Sequence, residues 1–208
     1  GKRIGAGQDF TVSQALRSRA FWFISIGHGF TSMVLLAFML HLAPMMTDQN
    51  YSLQTASFVV SAYTAVSMVF QLIGGYVGDR IRKNVALMIF TMCQAAGVFL
   101  LTFGPQTLVT AYGFAFLFGV GFGGRNPISA SIRGEYFGRK HYGKIMGVSQ
   151  VPMNVLLLIG PVFAGYMRDS TGTYTIAFAV LGGLAALGGL CFLMATKPSP
   201  PNSIEVEL

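Results

Sequence analysis

Few residues in this 208-residue chain could do chemistry, and their spacing is informative. Asp79, Arg80, Arg82 and Lys83 form a compact charged turn in Gly74-Gly75-Tyr76-Val77-Gly78-Asp79-Arg80-Ile81-Arg82-Lys83. Such a turn can fix orientation at a water boundary. It can also act as a latch, with Asp79 accepting from a helix N-terminus and Arg80 and Lys83 pairing with carboxylates. Arg125 sits inside an uncharged run, Gly119-Val120-Gly121-Phe122-Gly123-Gly124-Arg125-Asn126-Pro127. In lipid a guanidinium costs about 2.5–3.5 kcal/mol. It must snorkel, find a structural partner, bind an anion such as a carboxylate, or belong to a gate. His28 and His41, also in apolar surroundings, could carry a proton or bond between helices. Tyr63, Thr64 and Gln71, with Ser57 and Ser61, form a polar stripe at helical spacing that either lines a cavity or packs on a neighbour. Asn154, after Pro152, is costly to expose to lipid.

No Ser/His/Asp spacing, metal-ligand cluster or phosphate-cradling Gly-Lys-Ser/Thr is present, so neither an enzyme, a metal site nor a cofactor is expected. Gly119-x-Gly121-x-Gly123-Gly124 mimics a dinucleotide loop, but no strand precedes it. Small residues that let helices pack closely explain it better. The net charge of +7 invites a nucleic-acid reading. Its cations lie beside apolar runs with no aromatic interleaving, so no nucleic-acid partner is expected.

The elements that must hold these residues are apolar. Hydrophobic residues make up 53% of the chain and charged residues 10%, against roughly 25% charged in a soluble domain. Six runs each match the ~30 Å hydrocarbon core: Phe21 to Pro44, Ala56 to Gly78, Val85 to Phe103, Leu108 to Ser131, Ile145 to Met167 and Tyr174 to Thr196. Before them a short surface helix is expected near Phe10–Leu16, capped by Thr11 or Ser13. Cys93 and Cys191 fall inside the runs and read as free thiols.

Of the 14 Lys and Arg residues, all but Arg125 and Arg168 lie in the N-terminal segment, the 79–84 hinge, the 132–144 loop or the tail. These alternate with nearly uncharged connections, which places both termini in the cytoplasm. Gly75-Tyr76-Val77-Gly78-Asp79 recurs as Gly165-Tyr166-Met167-Arg168-Asp169, each ending the second span of a three-span group on opposite sides. Two inverted three-helix units are a carrier pattern.

Here the chain resembles the major facilitator superfamily, in the second half of its twelve-helix fold. Gly75, Asp79, Arg80 and Lys83 match the signature loop Gly-x-x-x-Asp-Arg/Lys-x-Gly-Arg-Lys/Arg, with Arg82 where the family usually has glycine. Phe10-Thr11…Ala15-Leu16-Arg17…Ala20-Phe21-Trp22, Glu135-Tyr136-Phe137-Gly138-Arg139-Lys140-His141-Tyr142-Gly143-Lys144…Gly147 and Gly160-Pro161…Gly165…Asp169…Gly172…Tyr174…Phe178 resemble monocarboxylate-transporter-like members in order and spacing.

The resemblance implies an all-α membrane protein forming helices 7–12 of that fold: linker 1–20, six-helix domain 21–196 and cytoplasmic tail 197–208. It implies alternating-access transport of a small solute, an organic anion such as a monocarboxylate with a proton as candidate co-substrate. The candidate cavity residues are Arg125, His28, Tyr63, Thr64, Gln71 and Asn154. In the family the latch of this half engages the other half, so its partner is expected outside this sequence. The expected partners are the solute, the plasma or inner membrane bilayer, and a missing N-terminal six-helix half, from the same longer chain or a second copy. The alternative is a six-span scaffold or receptor that binds through its basic loops without solute flux.

Overall fold

The computed structural model describes residues 9–200, so Lys2 and Arg3 of the expected linker and the acidic end of the tail lie outside the described residues. The described chain folds as α1 (Val12–Arg17), α2 (Arg19–Asp48), α3 (Leu53–Arg80), α4 (Lys83–Phe103), α5 (Leu108–Phe137), α6 (Tyr142–Thr171) and α7 (Thr175–Met194). Helices α2 to α7 are each long and apolar enough to cross a membrane. At 1.5 Å per residue they reach about 30–45 Å, so the longer ones project beyond hydrocarbon.

Four of the helices, α1, α2, α3 and α5, begin where the sequence supplies a side-chain cap. Thr11 and Gln14 close a reciprocal capping box on α1. Ser18 accepts from Phe21 N–H on α2, Ser52 from Thr55 N–H on α3, and Thr107 from Thr110 N–H on α5; each satisfies a backbone donor that the first turn leaves orphaned. Gly172 ends α6 at φ 76°, a left-handed conformation that glycine adopts without strain. The 81–82 turn uses no left-handed residue: Arg82 has φ −58°. An arginine therefore fits where the signature loop usually has glycine.

Two three-helix units, α2–α3–α4 and α5–α6–α7, interleave. Helix α3 packs on α5, α4 on α5 and α7, and α2 on α6 and α7. Exchanging α2 with α5, α3 with α6 and α4 with α7 maps this set of main pairs onto itself, as an inverted repeat requires. The glycine run on α5 is the central seam. A Cβ on Gly119 would lie 2.7 Å from the Tyr63 carbonyl of α3, and one on Gly121 would lie 2.5 Å from Gln94 N and the Phe90 carbonyl of α4. With lipid as apolar as the side chains, such close backbone packing is what holds membrane helices together. Phe38 of α2 adds an aromatic cluster, with ring centroids 4.3 Å from Phe178 and 5.1 Å from Phe114.

The 79–84 and 132–144 segments lie at one end of the bundle. Lys83 meets Glu135 there, and the Asp9 carboxylate accepts from Arg139 N–H and Lys140 N–H. One expectation is corrected. The 132–144 segment is not a free loop, because α5 continues through Phe137 and α6 starts at Tyr142. Ile128, Ile132 and Tyr136 extend the buried stripe of α5, and Arg133 between them is drawn inside. Arg133 therefore joins Arg125 as a buried charge within α5.

Candidate functional site

At the basic end, Lys83 opens α4 with its side chain 12% exposed. Its Nζ lies 3.2 Å from Glu135 Oε2 at the end of α5 and 3.8 Å from Asp79 Oδ1 at the end of α3, and it donates to the Gly78 carbonyl at 2.9 Å. Lys83 thus staples three helices and finds two carboxylates inside this sequence. Arg80 lies over the Tyr76 ring at 4.4 Å and faces solvent, and Asp79 is exposed. Asp79, Lys83, Ser131 and Glu135 border a cleft of about 1180 Å³. Gly75 has nothing within 4 Å of its would-be Cβ, whereas Gly74 and Gly78 press against Gly124 and Ile128 of α5.

The membrane-embedded part holds a buried polar network on α5. Arg125, Ser129 and Arg133 fall at successive four-residue steps and share one side of the helix. Arg133 Nε donates to Ser149 Oγ of α6 at 2.7 Å, Nη1 to the Ser129 carbonyl, and Nη2 lies 3.2 Å from His28 Nδ1 of α2. Arg125 Nε donates to Gln94 Oε1 of α4 at 3.1 Å, and Gln94 Nε2 to the Thr31 carbonyl of α2 at 3.4 Å. Both arginines are 1% exposed. Ser25 Oγ, Ser129 Oγ and Arg125 Nη1 are buried with no protein partner.

The other expected cavity residues divide by exposure. Thr64 and Gln71 on α3 and Asn154 on α6 face outward, while Tyr63 is buried edge-on against Phe118 at 5.4 Å. The stripe hydroxyls return to their own helix: Ser57 to the Leu53 carbonyl, Ser61 to Ser57 and Thr64 to Val60. Helices α3 and α6 are the least covered of the six and expose Met68, Leu72, Leu158 and Val162.

At the opposite end, Arg168 of α6 grips Asp48 of α2, Nε to Oδ2 at 2.7 Å and Nη2 to Oδ1 at 3.3 Å. His41 Nε2 lies 3.1 Å from the Pro161 carbonyl and Nδ1 3.1 Å from Tyr174 Oη. The carbonyl can only accept, so Nε2 carries the proton and Nδ1 accepts from the phenol. His41 therefore ties α2, α6 and the start of α7 together.

Sequence reasoning missed Arg133 with Ser149, Glu135, Gln94 and the Asp48–Arg168 pair. For Arg133 and Glu135 the signal was present, since Ile128, Ile132 and Tyr136 continue an i, i+4, i+8 stripe past Ser131. Gln94 and Asp48 carried no local signal; only the tertiary pairing reveals them.

The family model described as Major Facilitator Superfamily matches residues 21–208. The chain is 28% identical over 184 residues to Monocarboxylate transporter 13 of Bos taurus, covering 80% of this chain and 41% of that protein. It is 24% identical over 178 residues to the Hexuronate transporter of Bacillus subtilis (strain 168), covering 77% and 41%. The chain thus spans about two fifths of the length of these curated relatives. Among solved structures, the in meso crystal structure of the POT family transporter PepTSo superposes with a TM-score of 0.71 at 18% identity, covering 88% of this chain and 39% of that one. The superposition takes in about two fifths of that chain and the six spanning helices of this one.

Proposed function

Because the chain belongs to the major facilitator superfamily, we propose that it forms one half of a secondary active carrier that moves a small organic anion, such as a monocarboxylate, with a proton by alternating access. The observation that carries the anion is the pair Arg125 and Arg133. Both are buried, and among the described residues no carboxylate lies within 4.0 Å of either. A buried charge without its opposite is costly, and a site that keeps two of them suits a solute that brings the opposite sign. The names of relatives that carry monocarboxylates and hexuronates support the same class.

In this reading the open faces of α3 and α6, with Thr64, Gln71 and Asn154, meet the other six-helix half, supplied by the same longer chain or a second copy. Arg125 and His28 serve the solute, with Tyr63 packed on Phe118 further along α5. Gly75, Asp79, Arg80 and Lys83 form the cytoplasmic latch. Residues 1–20 and 197–208 flank the 21–196 domain in the cytoplasm, and the carrier resides in the plasma or inner membrane.

Uptake by proteoliposomes containing the full-length protein tests the proposal, with radiolabelled pyruvate, glucuronate, phosphate and glucose in parallel. Pyruvate or glucuronate should accumulate when the outside is acid. Uptake of glucose alone would overturn the anion class, and binding of pyruvate without flux would favour a receptor.

A further inference from the structure

Arg133 spends every nitrogen of its guanidinium on a neutral acceptor. Nε holds Ser149 at 2.7 Å, Nη1 holds the Ser129 carbonyl, and Nη2 lies 3.2 Å from His28 Nδ1. A guanidinium only donates, so Nδ1 is the acceptor and the His28 imidazole is neutral with its proton on Nε2. The Nδ1 lone pair can serve Arg133 or a proton, and not both. A second guanidinium, Arg125, stands two turns up the same helix with Nη1 unpartnered.

The charged groups acting on His28 are Arg125 and Arg133 of α5. Around it α6 contributes the Ser149 hydroxyl, α4 the Gln94 amide through Thr31, and α7 brings Cys191 against Gly27. Arg133 and Ser149 are buried, whereas His28 is half-buried and reaches the surface of the half.

We propose that Arg133 and His28 form a monoanion subsite in which anion and proton load together. The carboxylate of the solute accepts from Arg133 Nη2 in place of His28 Nδ1, and the freed Nδ1 takes a proton from the bulk aqueous phase on the side where the solute enters. No bond within the solute forms or breaks. The site holds two positive charges before loading, and still two once an imidazolium and a carboxylate are added, so the full cycle moves no net charge. Each ligand lowers the cost of the other, a reciprocal coupling of binding free energies. This rests on the organic-anion reading and adds to it the residue that takes the proton and the one that trades it for the anion.

The test measures radiolabelled pyruvate uptake and internal acidification together, in proteoliposomes of the full-length protein loaded with a pH dye. The wild type should move about one proton per pyruvate, independent of membrane potential. In His28→Gln, whatever rate remains, the ratio should fall toward zero and the flux should become voltage-sensitive. A ratio that stays near one in His28→Gln overturns the subsite and leaves the carrier reading intact. Absence of pyruvate flux in the wild type overturns both. Should His28→Gln fail to fold, calorimetry of pyruvate binding to the wild type in buffers of different ionisation heat counts the same proton. Uptake of about one supports the subsite, and uptake of none overturns it.

Discussion

Lys83 and Glu135 meet at 3.2 Å across the basic end of the bundle, joining the start of α4 to the end of α5. Lys83 is largely shielded while Glu135 is about half exposed, so the pair is screened less than one wholly in solvent. Glu135→Gln removes the nearer of Lys83's two carboxylates and leaves Asp79 at 3.8 Å. It should destabilise the protein by about 1 kcal/mol, near the upper end for a part-exposed pair. Thermal unfolding in detergent of Glu135→Gln, Lys83→Met and the double variant closes the cycle. A coupling energy indistinguishable from zero would show that the two side chains are merely neighbours.

Gly74 and Gly75 are adjacent in sequence and opposite in consequence. A Cβ on Gly74 would run into the backbone of Gly124 on α5, while one on Gly75 meets nothing within 4 Å. Gly74→Val should cost about 1–3 kcal/mol or more, the penalty for overpacking a close seam, seen as aggregation or a lowered Tm. Gly75→Val should leave Tm nearly unchanged and depress solute uptake, if its open face is where the other half closes. Full uptake by Gly75→Val would remove that glycine from the latch.

Much of this fold was legible because charge-free runs bounded by clustered cations leave little freedom for a chain in lipid. Thr11 and Ser13 both read as caps for the short first helix, and the reciprocal bond with Gln14 in the structure selects Thr11. The glycine run was readable as packing, since nothing around Gly119–Gly124 resembled a strand. Arg133 was not: a cation eight residues past Arg125 and close to Arg139 and Lys140 looked like one more loop charge. Its burial depends on Ser149 and His28, which arrive from helices distant in sequence. The spacing of Ile128, Ile132 and Tyr136 matches the buried face of α5, and tertiary contact brings the Arg133 guanidinium into it. The stripe on α3 was legible as a stripe. Its hydroxyls bond within α3, so the part of it that could meet a solute is narrower than the spacing suggested.

Gln94 offers the sharpest test of Arg125. Its Oε1 accepts from Arg125 Nε at 3.1 Å, and both side chains are buried between α4 and α5. Gln94→Glu changes one atom group, keeps the shape and places a resident carboxylate beside the guanidinium. If Arg125 serves only to hold α5 against α4, the new ion pair should strengthen that contact and leave transport as it was. If Arg125 draws the anionic solute, the resident carboxylate competes for it. Uptake of pyruvate should then fall about tenfold or more, equivalent to at least about 1.4 kcal/mol of lost binding, while Tm holds or rises. The two outcomes differ in the sign of the link between stability and activity. A stabilised Gln94→Glu protein that still carries pyruvate at the wild-type rate would reassign Arg125 to structure and leave Arg133 as the bundle's anion-facing charge.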